Sequence, residues 1–524
     1  MTEKSSINYE DVVYPNFVHA QTHPNRLATM ARAYGLQTAP VENCRVLEVG
    51  CGSGTNLLAM ASSLPQSEFV GVDLSENHIK FGAQAAGEVG AANLKLIRAD
   101  LLEVDFSDFG KFDYIIAHGF YSWIPPIVRE RFLEICRAQL AENGVAFVSY
   151  NAFPGCHLRL MMREMMTYHT ENIESPHEKV DQSLALLGFL KETAFEKEVY
   201  GKILENEFDK TIERTAELII HDDLGTFNRP FYFHEFVAAA EKNDLQFLSE
   251  AEYFHEKYTG FRKEAVELLN RFGDEEIVRR EQYLDFLKNR RFRQTLICHK
   301  NADIKRKVGE DFFDELKIVC DLHPDSETPD FSPHKNEKFS KAGKKGATID
   351  HSLTKAALFY LSEIFPRSVS FDELVENSKK IVGDQLSENF EFSETDVEIL
   401  KDILLKIFAS DFVNFFTHEP QIASEAGEKP KADDFIRWQA KNSDTLFSRR
   451  FRTKKIEDDF SRQLLILCDG EHTREQILEN FKRKISEGEI TFADEKMKRE
   501  FIENLPETIE NQLRQAAKLG LFME

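Results

Sequence analysis

Cysteine is scarce in this 524-residue chain. The seven present (Cys44, Cys51, Cys136, Cys156, Cys298, Cys320, Cys468) are odd in number, scattered and never spaced Cys-x-x-Cys. That excludes a disulfide framework and a zinc ribbon, and fits thiols kept reduced. No apolar run approaches the roughly 18 residues of a membrane span, and the opening MTEKSSINYEDVVY has no apolar signal-peptide core. These absences predict a cytoplasmic protein with no membrane insertion. Positive charge is also in deficit, 66 Lys and Arg against 90 Asp and Glu, a net charge of −24. Phosphate backbones are held by clustered Lys and Arg, so a general nucleic-acid binder is disfavoured. An acidic surface can steer a lysine-rich substrate inward or simply keep the chain soluble.

What is present is the mix of a soluble globular protein, 42% apolar and 30% charged, and long enough for several domains. Residues 44–150 alternate short β-branched runs (CRVLEV, EFVGV, LKLIR, FDYIIA, VAFVSY) with helical patterns. Strand–helix–strand alternation implies a parallel sheet covered on both faces, a doubly wound α/β domain. Residues 157–222 read as helices, and LQFLSEAEYF (245–254) and RQTLICH (293–299) as two further strands able to complete the first sheet. Within 303–430, FSPHKNEKFSKAGKKGATI reads as strand–turn–strand before an amphipathic helix from Ser352 to Phe365. SEAGEKPKADD (424–434) reads as a linker, and the last ninety residues as mostly helical, with a turn at Asp469-Gly470.

The strongest chemical signal is VLEVGCGSGTNLLAMA (46–61), a buried strand running through Gly50, Gly52 and Gly54 directly into a helix. The glycines permit a tight turn and a close approach of backbone N–H groups to a ligand at the helix N-terminus. Nicotinamide and flavin enzymes use GxGxxG, with the last glycine three positions after the second. Here it falls two after, and Glu48 precedes the first glycine by two. The segment resembles the class I S-adenosylmethionine-dependent methyltransferases. By that resemblance Glu48 and the loop Gly50, Cys51, Gly52 and Gly54 hold the methionyl end of S-adenosyl-L-methionine. Asp73, followed by Leu74, accepts from the ribose hydroxyls, while Asp100 and the backbone of Leu101 face the adenine.

The loop after the fourth strand, HGFYSWIPP (118–126), faces the transferred methyl group in that fold. Methyltransferases of nucleobase amines carry Asp/Asn-Pro-Pro-aromatic there; His118-Gly119-Phe120-Tyr121 departs from it and argues against a nucleobase acceptor. Tyr121 and Trp123 are candidates for the wall of an acceptor channel, packing under the loop being the alternative. His118 is a candidate for proton removal from the acceptor, or for a hydrogen bond to cofactor or backbone; His118 and Gly119 are also expected at the cofactor. The cluster Met161, Met162, Met165 and Met166 fits apolar packing or a subunit interface better than a plastic binding surface. His221-Asp222-Asp223 reads as polar loop capping in preference to a metal site, and no metal is expected.

YEDVVY (9–14), AQTHPNRLATMA (20–31), HGFYSWIP (118–125), SYNAFPG (149–155) and NRPFYFHEF (228–236) extend the resemblance over essentially the whole chain. They are similar to bacterial methyltransferases that carry a methyltransferase regulatory domain, whose best-understood members are lysine methyltransferases of outer-membrane proteins. That resemblance implies a Rossmann-like methyltransferase sheet split between 1–165 and 231–302, with a helical dimerisation insertion at 166–230. A winged-helix-like middle domain (303–430) and a helical C-terminal domain (431–524) follow. It also implies that Tyr9, Tyr14, Thr22 and His23 close over the cofactor, a capped helix start at Thr22-His23-Pro24 being the alternative. Two departures stand: Cys156 after Pro154-Gly155, where the family favours an aromatic, and a final domain, with RRFRTKKIEDD (449–459), that matches loosely.

The expected function is a cytoplasmic, homodimeric protein lysine N-methyltransferase acting on surface proteins before export. The alternative is a small-molecule methyltransferase whose extra domains serve assembly or regulation. A third reading, a nucleic-acid-binding winged helix using Lys335, Lys338, Lys341, Lys344 and Lys345, is opposed by the acidic total.

Overall fold

The computed structural model describes residues 14–194, 198–253, 258, 260–341, 346–386, 392–492 and 494–523. Tyr9 lies outside them, as do Lys344 and Lys345. A seven-stranded sheet organises the first three hundred residues: β1 (Arg45–Val49), β2 (Glu68–Asp73), β3 (Leu94–Arg98), β4 (Phe112–Ala117), β5 (Leu140–Asn151), β6 (Leu245–Glu250) and β7 (Phe292–His299). Their order is β3-β2-β1-β4-β5-β7-β6. The pairs β1–β2, β2–β3, β1–β4 and β4–β5 are parallel, while β7 runs antiparallel to both β5 and β6. The two late strands therefore join the first sheet after a detour of about ninety residues of helix.

Alternation along the strands feeds two cores. Val46, Tyr114, Ile116 and Phe147 point to one face; Leu47, Val49, Ile115, Ala117 and Val148 point to the other. Both faces are covered, as a parallel sheet requires. Covering helices include α1 (Pro24–Ala33), α2 (Thr55–Ser63), α3 (Glu76–Val89) and α4 (Pro126–Gln139). The excursion between β5 and β6 contains α5 (Cys156–His169), α6 (Pro176–Thr193), α7 (Val199–Ile212), α8 (Ala216–Asp222) and α9 (Phe233–Lys242). The first four have a small core of their own around Met162, Met166, Leu187, Leu204 and Ile219. Packing thus accounts for Met162 and Met166. Helices α10 (Lys263–Leu269) and α11 (Ile277–Lys288) lie between β6 and β7.

Beyond β7, the core under α1 continues without a break into the next unit through Phe312, Ile318, Leu353 and Phe415. That unit holds β8 (Lys317–Cys320), β9 (His323–Pro324), β10 (Glu337–Ser340), β11 (Gly346–Ile349), α12 (Ser352–Ile364), β12 (Val369–Ser370), α13 (Phe371–Leu386), α14 (Glu394–Phe408) and β13 (Val413–Phe416). The last unit comprises α15 (Asp434–Asn442), β14 (Thr445–Phe447), β15 (Thr453–Lys455), α16 (Asp459–Leu467), α17 (Arg474–Ser486) and α18 (Glu495–Lys518).

The linker reading of 424–434 is corrected. Lys431 and Ala432 form bridges to Asp469 and Phe522, Ala432 N–H donates to Cys468 O at 2.8 Å, and Ala426 is buried in the last core. Its polar composition reflects an edge that is hydrogen-bonded into a domain. The described lysines of the basic run, Lys335, Lys338 and Lys341, are neutralised locally. Lys335 pairs with Asp330, Lys338 with Asp325 and Lys341 with Asp321, at 2.7, 2.8 and 2.8 Å.

Candidate active site

A cavity of about 930 Å³ opens at the carboxyl ends of β1, β2 and β4 and reaches the helices of the excursion. This is the point where the strand order reverses, between β1 and β4, and where open α/β sheets bind ligands. Its floor is the loop from Gly50 to Gly54. Gly50, Gly52 and Gly54 all have positive φ (69°, 56° and 69°), a region that L side chains enter only with strain. A Cβ on Gly50 would come within 2.5 Å of the Phe120 ring. Gly50, Cys51 and Gly52 line the cavity. Gly54 instead starts α2 and packs against Leu96, so its part is conformational.

Three carboxylates stand at successive strand ends. Glu48 is 4% exposed; its Oε1 accepts from Asn56 Nδ2 at 2.9 Å, and its Oε2 is buried with no hydrogen-bond partner. Burial pushes its carboxyl up to about 8; the Asn56 hydrogen bond opposes this and the charge of Asp73 adds to it. An unpartnered buried carboxylate oxygen calls for a cationic donor from a ligand. Asp73 holds the loop, with Oδ2 accepting from Gly52 N–H at 2.8 Å and Oδ1 from Ser75 N–H at 2.9 Å. Each oxygen retains a lone pair for a hydroxyl. Asp100 Oδ1 accepts from Leu102 N–H at 2.9 Å, and Asp100, Leu101 and Leu102 line the cavity together with Leu74. One ammonium partner, a pair of acceptors for a diol and an apolar slot match the donors of S-adenosylmethionine.

The loop after β4 supplies His118, Gly119, Phe120 and Trp123 to the cavity wall. His118 is stacked against His19, ring centroids 3.6 Å apart. Burial, and then the neighbouring His19, pushes the His118 imidazole well below 6.5; burial lowers His19 to about 4. Both rings are neutral. Tyr121 is corrected from channel wall to core. It is 3% exposed, and its ring sits among Phe231, Phe236, Tyr150 and Phe132 at 5.2, 5.3, 6.2 and 6.3 Å. The loop turns Phe120 and Trp123 outward and Tyr121 inward under α4. Burial pushes the Tyr121 phenol up to about 12.

Of the N-terminal candidates, Tyr14 lines the cavity, its ring 5.4 Å from that of His221. Thr22 is fully buried and bonded to Asn56. His23 is corrected: it faces away from the cavity. Its Nδ1 accepts Asn25 N–H at the start of α1, its Nε2 is 3.2 Å from Ser63 Oγ, and its ring packs on Phe451 of the last domain.

At the far end sequence reading singled out only Asp222 and Asp223, as loop capping; there they converge with Arg159, Glu207, Lys210, Arg214 and Arg291, which lie on or next to α5, α7 and β7. Asp222 and Asp223 both bind Arg214, and Arg159 Nε donates to Asp223 Oδ1 at 2.8 Å. Arg291 forks onto Glu207. The two aspartates are thus held by guanidinium groups. No contiguous motif marks these residues, because they meet only when the excursion folds back. Asn16, His19 and Asn56 were also missed; the last follows the glycine loop directly and was the one within reach.

Comparison with known proteins agrees with this geometry. Residues 47–146 match the family described as a methyltransferase domain and 215–299 a predicted methyltransferase regulatory domain. Residues 428–521 match the PKMT C-terminal winged helix domain. The chain is 30% identical over 510 residues to an uncharacterized protein of Rickettsia prowazekii, covering 96% of this chain and 90% of that one. Among solved structures, PKMT2 from Rickettsia typhi in complex with AdoHcy superposes with a TM-score of 0.85 at 27% identity, over 97% of this chain and 99% of the other. A second PKMT2 structure from that organism also gives 0.85, at 28% identity, over 98% of this chain and 100% of the other.

Proposed function

Because this chain belongs to the S-adenosylmethionine-dependent methyltransferases that join a regulatory domain and a PKMT winged helix to the catalytic sheet, we propose that it methylates lysines of outer-membrane surface proteins before their export. The enzyme is a protein lysine methyltransferase, and S-adenosylmethionine is its cofactor. The observation that carries the reading is the continuous cavity that runs from the unpartnered Glu48 oxygen past Trp123 to the helical excursion.

Glu48 Oε2 would take the cofactor's ammonium, Asp73 its ribose hydroxyls, and Asp100 with Leu101 its adenine. The cofactor supplies a methyl group on a sulfonium, open to in-line displacement. The chain's part is alignment and desolvation. Trp123 and Phe292 line the cavity and offer the acceptor an apolar approach, which lowers an amine's pKa and favours the neutral nucleophile. Burial disfavours the charged forms of His118 and His19, so these two rings add no positive charge beside a cationic cofactor. No dedicated base is required.

The excursion at 166–230 is proposed as a dimer interface. Tyr168, Phe189, Val199, Tyr200, Ile212 and Phe227 expose large apolar side chains on or beside it, at 81, 62, 76, 44, 51 and 51%. A cytoplasmic location is supported by seven free thiols, and among the described residues no helix is long and apolar enough to cross a membrane.

The test is incubation of isotopically labelled S-adenosylmethionine with recombinant surface-protein fragments, followed by mass spectrometry of tryptic peptides. Lysine peptides gaining multiples of one methyl mass, absent with Asp73→Ala, are expected. Cofactor binding without labelled peptides would point to a small-molecule acceptor.

A further inference from the structure

Asn56 is the second residue of α2 and lines the cavity beside Glu48. It is 5% exposed, and its amide is fully engaged. Nδ2 donates to Glu48 Oε1 at 2.9 Å and to Thr22 Oγ1 at 3.0 Å. Oδ1 accepts the backbone N–H of His19 at 2.9 Å, and Thr22 Oγ1 closes the circle onto His19 O at 2.8 Å. One side chain therefore ties the carboxylate of β1 to the strap at residues 14–22, and the strap presents His19 to His118.

Few side chains could replace that amide. A carboxylate at 56 has no N–H for Glu48 and sets a second negative charge against it; an apolar isostere strands His19 N–H and Glu48 Oε1 in a buried place. The other groups facing Glu48 do not compensate: Asp73 on β2 repels its charge, and Cys51 in the loop is a thiol that burial keeps protonated. With Oε1 held by Asn56, Oε2 is the oxygen left free.

We propose that Asn56 is a positioning residue that couples the two ends of the site: through Glu48 it fixes the oxygen offered to the cofactor's ammonium, and through His19 and Thr22 it fastens the strap over the cavity. The proposal rests on the cofactor reading above. Linkage makes the coupling reciprocal, so occupying the cofactor end tightens the strap and loosening the strap weakens the cofactor.

The experiment titrates S-adenosylhomocysteine by calorimetry into the wild-type protein, Asn56→Leu, Asn56→Asp, Glu48→Gln and the Glu48→Gln/Asn56→Leu double variant, from pH 6.5 to 9. Hydrogen exchange of residues 16–23 is followed with and without ligand. Asn56→Leu should weaken binding roughly tenfold to a hundredfold, and by distinctly less once Glu48 is already Gln, the remainder being the share carried by the strap. Asn56→Asp should move the pH at which affinity rises upward. The strap should exchange faster in Asn56→Leu and lose its ligand-induced protection, an effect that a purely local packing role would not produce. If Asn56→Leu does not fold, Asn56→Ser takes its place in the cycle. Additive energetics, an unchanged pH midpoint or unchanged strap exchange in a folded variant would overturn the proposal while leaving the cofactor reading intact. A wild-type protein that does not bind S-adenosylhomocysteine would overturn both.

Discussion

The imidazole of His19 lies against that of His118 with the planes 20° from parallel. Two cationic rings cannot share that contact in a buried wall, and burial already lowers His19 to about 4. His118 is therefore a neutral wall and a poor acceptor for a proton from an ammonium. The rate of lysine methylation should rise with pH as the acceptor amine deprotonates. His118→Gln should lower kcat without moving that pH midpoint. Profiles of kcat/KM between pH 6 and 9.5 check this, and a midpoint displaced in the variant would reinstate His118 as a base.

Asp73 is expected to matter to the cofactor far more than to the fold. Asp73→Ala removes the acceptor of Gly52 N–H together with two acceptors for the ribose. Charge-assisted hydrogen bonds contribute about 1.5–3 kcal/mol each, so affinity for S-adenosylhomocysteine should fall by at least about a hundredfold. Calorimetric titration, with Tm as the control for folding, measures it.

His23 makes acid stability a property of the fold. Its Nδ1 accepts the N–H of Asn25, so Nε2 carries the proton; burial, followed by the charge of His418, lowers its pKa to about 3. In the unfolded chain it titrates near 6.5. The unfolded state therefore binds more protons below pH 6.5, and stability falls as pH drops from there toward 3, by up to about 1.4 kcal/mol per pH unit. Scanning calorimetry from pH 7 to 5 should show Tm falling, and His23→Asn, which keeps a cap acceptor, should flatten the fall.

Arg293 is the hub of a buried charge cluster that locks β6 and β7 to α11. It is fully buried, binds both oxygens of Asp285 at 2.9 Å, reaches Glu250 at 2.6 Å and Glu281 at 3.2 Å, and lies 3.8 Å over the Phe233 ring. Arg293→Met leaves three carboxylates facing one another without it and should cost about 3–5 kcal/mol. Denaturant midpoints at constant m-value test this.

The two tryptophans report on different things. Trp123 lines the cavity, while Trp438 donates to Glu88 Oε2 at 2.9 Å and docks the winged helix on α3. In Trp438→Phe the remaining emission should change when S-adenosylhomocysteine binds. In Trp123→Phe it should respond instead to domain undocking in mild urea. Fluorescence titration separates the two.

Local chemistry made much of this molecule legible in its residues alone. Alternating apolar runs implied the sheet, Gly50, Gly52 and Gly54 implied the loop, and the resemblance to class I methyltransferases pointed to Glu48, Asp73 and Asp100, each in or just past a strand. Position along a strand predicts where a side chain emerges. The direction a side chain takes in a loop depends on what packs beneath it, so Tyr121 went to the core and Trp123 to the cavity, with nothing in HGFYSWIPP to tell them apart. His23 likewise turned to the last domain because Phe451 comes to meet it. The guanidinium–carboxylate cluster at the far end joins Arg291 to Glu207, 84 positions away, and shares its cavity with the glycine loop, more than a hundred positions from either. Such encounters are made by long-range packing of helices against the sheet edge, and only the tertiary structure could decide them.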